Sequence, residues 1–269
     1  MTFKIDFAGA SDVGKVRKNN EDSFLLDPGL ELAIVADGMG GHNSGEVASQ
    51  LAVKVTRDKY ESMKLTGMKP TPFNDKFTLE ANQLGFAVQL ANSVIYEAGT
   101  AGPENKGMGT TLSAALLNKS KLSIAHIGDS RIYLLRQNVM QQLTEDHSLV
   151  MEHVKKGLLT REQADVSPLQ NILTRALGTQ KTPAVDLVET ELEEGDRLLF
   201  CTDGLFKAVK EGSLQELLRI QPDNQKACAE LLAAANANGG PDNITVILGT
   251  VKKKTLKENL KDMFKKSYA

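Results

Sequence analysis

The sequence predicts an α+β fold in which antiparallel sheet is covered by paired helices. Three observations carry this. Short apolar runs of strand length recur along the chain, some separated only by two-residue turns such as Asn118-Lys119 and Gly128-Asp129, and connections that short join antiparallel neighbours. Two long stretches with helical spacing flank a loop punctuated by Gly67, Pro70 and Pro72, which suggests an antiparallel helix pair over a sheet. Two strand-like runs also end abruptly at an Asp-Gly pair. Ile34-Val35-Ala36 meets Asp37-Gly38, and Leu198-Leu199-Phe200-Cys201 leads to Asp203-Gly204.

Composition narrows the class. Hydrophobic residues are 41% of the 269 and charged residues 25%, ordinary for a soluble globular chain able to bury a substantial core. No apolar run has the length of a membrane span, and M-T-F-K-I-D-F lacks the pattern of a secretory leader. Cys201 and Cys228 give no disulfide framework. Cys201 is expected to be a buried free thiol and the chain cytoplasmic. Net charge is −2 but uneven: residues 252–269 hold seven lysines against Glu258 and Asp262, a local +5 that leaves −7 on residues 1–251. An acidic body suits cation binding and argues against a nucleic-acid surface there.

Taken in order, residues 3–9 form a first strand. The polar stretch Ser11–Asp22, carrying Arg17, Glu21 and Asp22, leads into strand 23–26, and Pro28-Gly29 turns the chain into strand 31–36. Ser44 is placed as the N-cap of a helix with Val47, Leu51 and Val55 on one face, and 61–76 as a loop. A second helix, 77–98, carries Leu84, Val88, Ala91 and Ile95 at steps of four, three and four. Strands 111–117, 122–127 and 131–135 read as one antiparallel meander. A short helix opens at Asp146-His147-Ser148 and stops at Gly157, with His147 capping or bracing it. Thr160 and Gln163 have capping-box spacing, and Leu173–Leu177 makes a last turn. Strands 185–190 and 197–202, helical runs 214–219 and 225–236, and a final strand 243–251 complete the body.

A single Asp-Gly pair is an ordinary turn, so the chemical argument rests on number. Asp37, Asp129, Asp203 and Asp242 each stand at a strand edge beside Gly, Ser or Asn. Carboxylates gathered at one rim repel unless cations lie between them. Oxygen ligands with few histidines and no paired cysteines favour Mg²⁺ or Mn²⁺ over Zn²⁺.

Eight motifs then fall in one order over residues 11–247: S-D-V-G-K-V-R-K-N-N-E-D, V-A-D-G-M-G-G-H, G-T-T, H-I-G-D-S-R-I-Y, L-T-E-D-H-S, L-T-R-A-L-G, F-C-T-D-G-L and P-D-N-I-T. With them the chain resembles the metal-dependent serine/threonine protein phosphatases of type 2C, the PPM family, above all its compact bacterial branch. The resemblance implies a four-layer α-β-β-α sandwich over residues 1–251, with a flap at about 148–178 beside the cleft. It implies two or three Mn²⁺ or Mg²⁺ ions. Asp37 is expected to bridge two of them, with the Gly38 carbonyl on the first, Asp203 and Asp242 completing the second, and Glu21 holding a water. Asp129 with Asp203 matches a weaker third position, and Arg17 matches the residue that grips the substrate phosphate. Two ions about 3.5–4 Å apart can activate a shared water in line with phosphorus, so no Ser or Cys nucleophile is required. Position 39 departs from the eukaryotic members, which carry His there. Met39 leaves the leaving-group proton to a water or to His42.

The activity so implied is metal-dependent hydrolysis of phosphoserine and phosphothreonine in proteins. The expected partners are phosphoproteins, a serine/threonine kinase and its substrates, with no nucleic acid and no transmembrane segment, the chain acting as a monomer. A non-catalytic phosphoprotein adaptor on the same fold is the rival reading; it need not keep Asp37, Asp203, Asp242 and Arg17 together. A phosphatase confined to one partner-switching regulator would share the chemistry and differ in substrate. Within the flap, Arg161, Gln163 and Asp165 are candidates for substrate selection, against simple packing. Residues 252–269 read as a basic amphipathic tail with Leu256, Leu260, Met263 and Phe264 on one face, either docked on the body or meeting an acidic partner or membrane surface.

Overall fold

Successive strand residues face opposite sides of a sheet, so a strand apolar on both faces must be covered twice. Several strands here are of that kind. The computed structural model, which describes residues 2–40 and 44–258, resolves them into two stacked sheets. One has the order β1 (Phe3–Asp12), β11 (Ile244–Lys253), β10 (Arg197–Cys201), β7 (Arg131–Arg136), β8 (Val139–Gln142). The other has the order β2 (Asp22–Asp27), β3 (Leu32–Met39), β5 (Leu112–Asn118), β6 (Lys121–Ile127), β9 (Asp186–Glu191), and the short β4 (Gly109–Thr110) also pairs with β3. Every ladder is antiparallel.

Helices α1 (Ser44–Thr66) and α2 (Leu79–Ala101) cover the second sheet. On the first lie α5 (Asp203–Phe206), α6 (Glu211–Ile220) and α7 (Asn224–Ala237). Three apolar layers result, and strand alternation assigns each residue to its layer. In β3, Leu32, Ile34 and Ala36 pack under α1 and α2, whereas Ala33 and Val35 face the other sheet. In β10, Leu199 and Cys201 meet the opposite helices, whereas Leu198 and Phe200 fill the space between the sheets. Full burial of a side chain such as Phe200 contributes about 2–3 kcal/mol, so the inter-sheet layer is what holds the two halves in register. This is the expected α-β-β-α sandwich.

Four expectations change. The strands at 111–135 are not one meander: β5 and β6 pair in one sheet, but β7 joins the other, between β10 and β8. Gly128-Asp129 is therefore a crossing between sheets, and its Gly128 takes φ +106°, which favours a residue without Cβ. Helix α1 begins at Ser44 itself and runs on through 61–66 to Gly67. Its buried face is Ala48, Ala52, Thr56, Tyr60 and Met63, while Val47 is exposed, because small residues let the helix lie close on β3. Leu173–Leu177 is extended, with Leu173 bridging Ser148 and Leu177 bridging Thr110. Strand β8 and helix α5, too short to show periodicity, went unread.

Among the described residues no helix is long and apolar enough to cross a membrane. Residue Leu256 is exposed; Leu260, Met263 and Phe264 lie outside the described residues, as does His42.

Candidate active site

The acids arrive from both sheets at one end of the sandwich. Asp37 lies near the end of β3, Asp203 opens α5 just after β10, Asp242 stands two residues before β11, and Asp129 sits in the crossing between sheets. Glu21 immediately precedes β2. These five line one cleft of about 500 Å³ together with Arg17, Gly38 and Met39, so the fold brings the expected metal ligands and the expected phosphate-binding arginine to one place.

Backbone contacts hold them there. The Asp37 N–H donates to Thr111 Oγ1 at 2.9 Å, and its carbonyl accepts from Thr110 Oγ1 at 2.9 Å. Thr111 Oγ1 in turn shares a 2.6 Å hydrogen bond with Ser130 Oγ, tying β3 to the inter-sheet crossing. Gly38 has no room for a side chain, since a Cβ would fall 2.1 Å from the Gly45 carbonyl and 2.6 Å from that of Glu21. Asn243 staples the Arg17 loop to the Asp242 turn: its Oδ1 accepts from the Glu21 N–H, and its Nδ2 donates to the Val13 and Asn19 carbonyls. Only the quoted P-D-N pointed to Asn243.

Asp22 carried no assigned role, yet it is the buried support of the site. Its Oδ2 accepts from Thr202 Oγ1 at 2.8 Å and from Thr245 Oγ1 at 2.7 Å, both in the opposite sheet's layer. The available signal was its strand parity: Asp22 shares a face with Phe24 and Leu26, which pack between the sheets.

The electrostatics follow from enclosing acids together. Burial, then the charges of Asp22, Asp203, Asp129 and Asp242, raises the Asp37 carboxyl well above its ordinary range. Asp129 is pushed up to about 7 by burial and then by Asp203, and Asp22 to about 7 chiefly by burial, against its two threonine hydrogen bonds. Burial also raises Glu21. Two cations answer this charge. Arg17 Nη2 donates to Asp242 Oδ2 at 2.8 Å, and Lys207 Nζ to Asp203 Oδ2 at 2.5 Å. Lys207 was not foreseen, being four residues beyond Asp203 and just past the end of the short helix α5.

Among the described residues no three acidic, His or Cys side chains converge tightly enough to clasp one ion. The donor set nevertheless fits hard divalent cations. Mg²⁺ in particular keeps most of its water and needs only one or two carboxylates. Asp203 Oδ1 is buried and accepts no hydrogen bond, an acceptor with its charge unmet. Every candidate ligand is an oxygen.

The flap forms one wall of the cleft through Asn171, Leu173, Thr174, Arg175 and Ala176. Its helices α3 (Leu149–Lys155) and α4 (Arg161–Asp165) begin as expected, on Ser148 and on a Thr160–Gln163 capping box. Arg161, Gln163 and Asp165 are exposed and lie away from the cleft lining. His147 does not cap α3, where Ser148 does so. Its Nδ1 accepts from the Gly128 N–H at 3.1 Å and its Nε2 meets Asp186 Oδ2 at 3.1 Å, so it braces the crossing that carries Asp129. The hydrogen bond from His147, with those from Arg175, holds Asp186 well below the usual carboxylate range.

Comparison with known proteins places the chain in a family and matches its fold. A family model described as protein phosphatase 2C matches residues 14–261. The serine/threonine phosphatase stp of Listeria innocua is 39% identical over 243 residues, covering 88% of this chain and 92% of that protein. The crystal structure of the Mycobacterium tuberculosis serine/threonine phosphatase PstP/Ppp superposes with a TM-score of 0.81 at 37% identity, covering 93% of this chain and 99% of that one. The PstP catalytic domain in complex with two manganese ions gives a TM-score of 0.78 at 36% identity, over 94% of this chain and 100% of that one.

Proposed function

This chain belongs to the protein phosphatase 2C family, and on that premise we propose how its residues divide the work of a metal-dependent serine/threonine protein phosphatase. The observation that carries the reading is the convergence of Asp37, Asp203, Asp242 and Glu21 from two sheets on one cleft with Arg17 at its side. Asp37, the Gly38 carbonyl, Asp203 and Asp242 would hold two Mn²⁺ or Mg²⁺ ions, with Asp37 serving both. Glu21 acts through a water, and Asp129 with Asp203 offers a third, weaker position. When bound, the cations supply positive charge at the phosphoryl group and acidify water beside it.

The chain's own groups do the rest. Arg17 is about half exposed and uses one nitrogen on Asp242, which leaves guanidinium N–H groups to bind phosphate oxygens with a charge that never titrates away. Thr110 and Thr111 fix the Asp37 backbone so that its carboxylate needs no reorganisation on binding. Met39 has no proton to give, so the leaving alkoxide takes its proton from water or from a group other than residue 39. No described histidine lines the cleft. We assign catalysis to one domain through residue 251, acting as a cytoplasmic monomer on phosphoproteins marked by a serine/threonine kinase.

The test is phosphate release from a phosphothreonine peptide with Mn²⁺, with EDTA and Asp203→Asn as controls. Release that needs both metal and Asp203 supports the assignment. Folded, metal-loaded protein that releases none would overturn it in favour of a phosphoprotein-binding adaptor.

A further inference from the structure

Lys207 makes two contacts at once. Its ammonium lies 2.5 Å from Asp203 Oδ2 and donates to Asn171 Oδ1 of the flap at 2.7 Å. One charge therefore joins a cleft acid to the flap wall of the cleft. Asp203 is then served on one side only: Oδ2 faces Lys207, and Oδ1 is buried without a partner.

We propose that Lys207 is a positioning residue that couples cation binding at Asp203 to the fastening of the flap. The proposal rests on the reading of Asp203 as a metal ligand. A divalent cation taken up on the free Oδ1 would share one carboxylate with the ammonium on Oδ2, and the repulsion between the two charges weakens the ion pair. A cation arriving on Asp203 thus loosens the ammonium, and Asn171 loses a donor held in place by that ion pair. The flap is then tethered by its remaining anchors, among them Arg175 to Asp186 and Asn92 to the Gln180 and Lys181 carbonyls. Coupling of this kind is reciprocal. A phosphoprotein that draws Asn171 and the flap off Lys207 leaves the ammonium held by Asp203 alone and easier for a cation to loosen, so the substrate helps to load the metal it needs.

The geometry singles out Lys207 over Arg17, the other cation paired with a cleft acid. Arg17 also pairs with a cleft acid, Asp242, but its side chain is 55% exposed against 24% for Lys207, and among the described residues it is Lys207 that donates to the flap. Displacing Arg17 would release only a loop that Asn243 already staples, whereas displacing Lys207 removes one of the ties on the wall of the cleft.

The experiment uses the full chain and Mn²⁺ alone as ligand, reading Mn²⁺ affinity by calorimetry and flap exchange by hydrogen–deuterium exchange over residues 165–177. Wild type is expected to exchange faster in the flap once Mn²⁺ is added. In Lys207→Met the competitor is gone: Mn²⁺ binds on the order of tenfold tighter, and the flap exchanges fast with or without metal. Asn171→Ala frees the flap while keeping the ammonium on Asp203, so its flap exchanges fast and, by reciprocity, Mn²⁺ binds tighter than in wild type but less tightly than in Lys207→Met. Equal Mn²⁺ affinity in wild type and Lys207→Met, or a wild-type flap indifferent to Mn²⁺, overturns the coupling. Asp203→Asn separates the two readings. If it leaves Mn²⁺ binding intact, the ligand assignment itself fails. If it abolishes binding while Lys207→Met changes nothing, only the coupling fails.

Discussion

Asp22 and Asp37 stand directly opposite each other across the β2–β3 ladder, on the face that looks into the inter-sheet space. Like charges so placed destabilise a strand pair. The chain offsets this by giving Asp22 two hydroxyl donors from the other sheet and opening Asp37 to the cleft. The paired acids thus mark where the inter-sheet core stops and the chemistry begins.

Removing that support should cost stability. Asp22→Ala leaves Thr202 and Thr245 hydroxyls buried without their acceptor, which is expected to lower the unfolding free energy by about 2–3 kcal/mol in urea titration. A loss under about 0.5 kcal/mol would mean that the hydroxyls find other partners and that Asp22 does not tie the sheets.

Gly38 tests position rather than charge. A Cβ 2.1 Å from the Gly45 carbonyl forces the strand end away from α1 and takes Asp37 with it. Because a displacement of about 1 Å can cost on the order of a hundredfold in rate, Gly38→Ala should lose at least that in kcat/KM with its ligands intact. Activity within about fivefold of wild type would show that the site tolerates movement of β3.

Arg17 is exposed enough to be removed without disturbing the fold. Arg17→Ala is expected to cut kcat/KM roughly hundredfold, about 2.7 kcal/mol of transition-state stabilisation, with the thermal midpoint unchanged. Unaltered kinetics on a phosphopeptide would remove Arg17 from phosphate binding.

Asp186 sets a pH dependence. His147 and Arg175 depress its folded pKa, so its contribution is complete above the ordinary carboxylate pKa of about 4 and is lost as pH falls toward the folded value. Wild type should exceed Asp186→Asn in stability at pH 5–7, and the gap should narrow below about pH 4. Chemical denaturation across that range checks it. A gap that stays constant down to pH 2 would assign the effect to packing.

How much of this was legible follows the range of the interactions. Strands ending on Asp37 and Asp203 were readable because an apolar run meeting Asp-Gly is local. The buried stripe of α2 was readable because Leu84, Val88, Ala91 and Ile95 are large enough to register as periodic. The face of α1 was misjudged because Ala48, Ala52 and Thr56 bury by closeness rather than by hydrophobic bulk. Gly128-Asp129 looked like a hairpin because a two-residue link reads alike whether the next strand folds back or changes sheet. What decides it is β10, more than sixty residues on. Asp22, Asn243 and Lys207 stayed hidden for the same reason, since each is defined by partners distant in sequence or by a helix of four residues.

The pairing of β1 with β11 has a consequence for local unfolding. Strand β1 is an edge strand whose sheet neighbour is β11, and Asp242 stands two residues before that neighbour. Asn243, on the same approach, holds the Glu21 N–H and the Val13 and Asn19 carbonyls, and Thr245 of β11 holds Asp22. Loosening β11 therefore unseats the sheet edge, the Arg17 loop and one wall of acids together, so this end of the cleft opens as one unit rather than residue by residue.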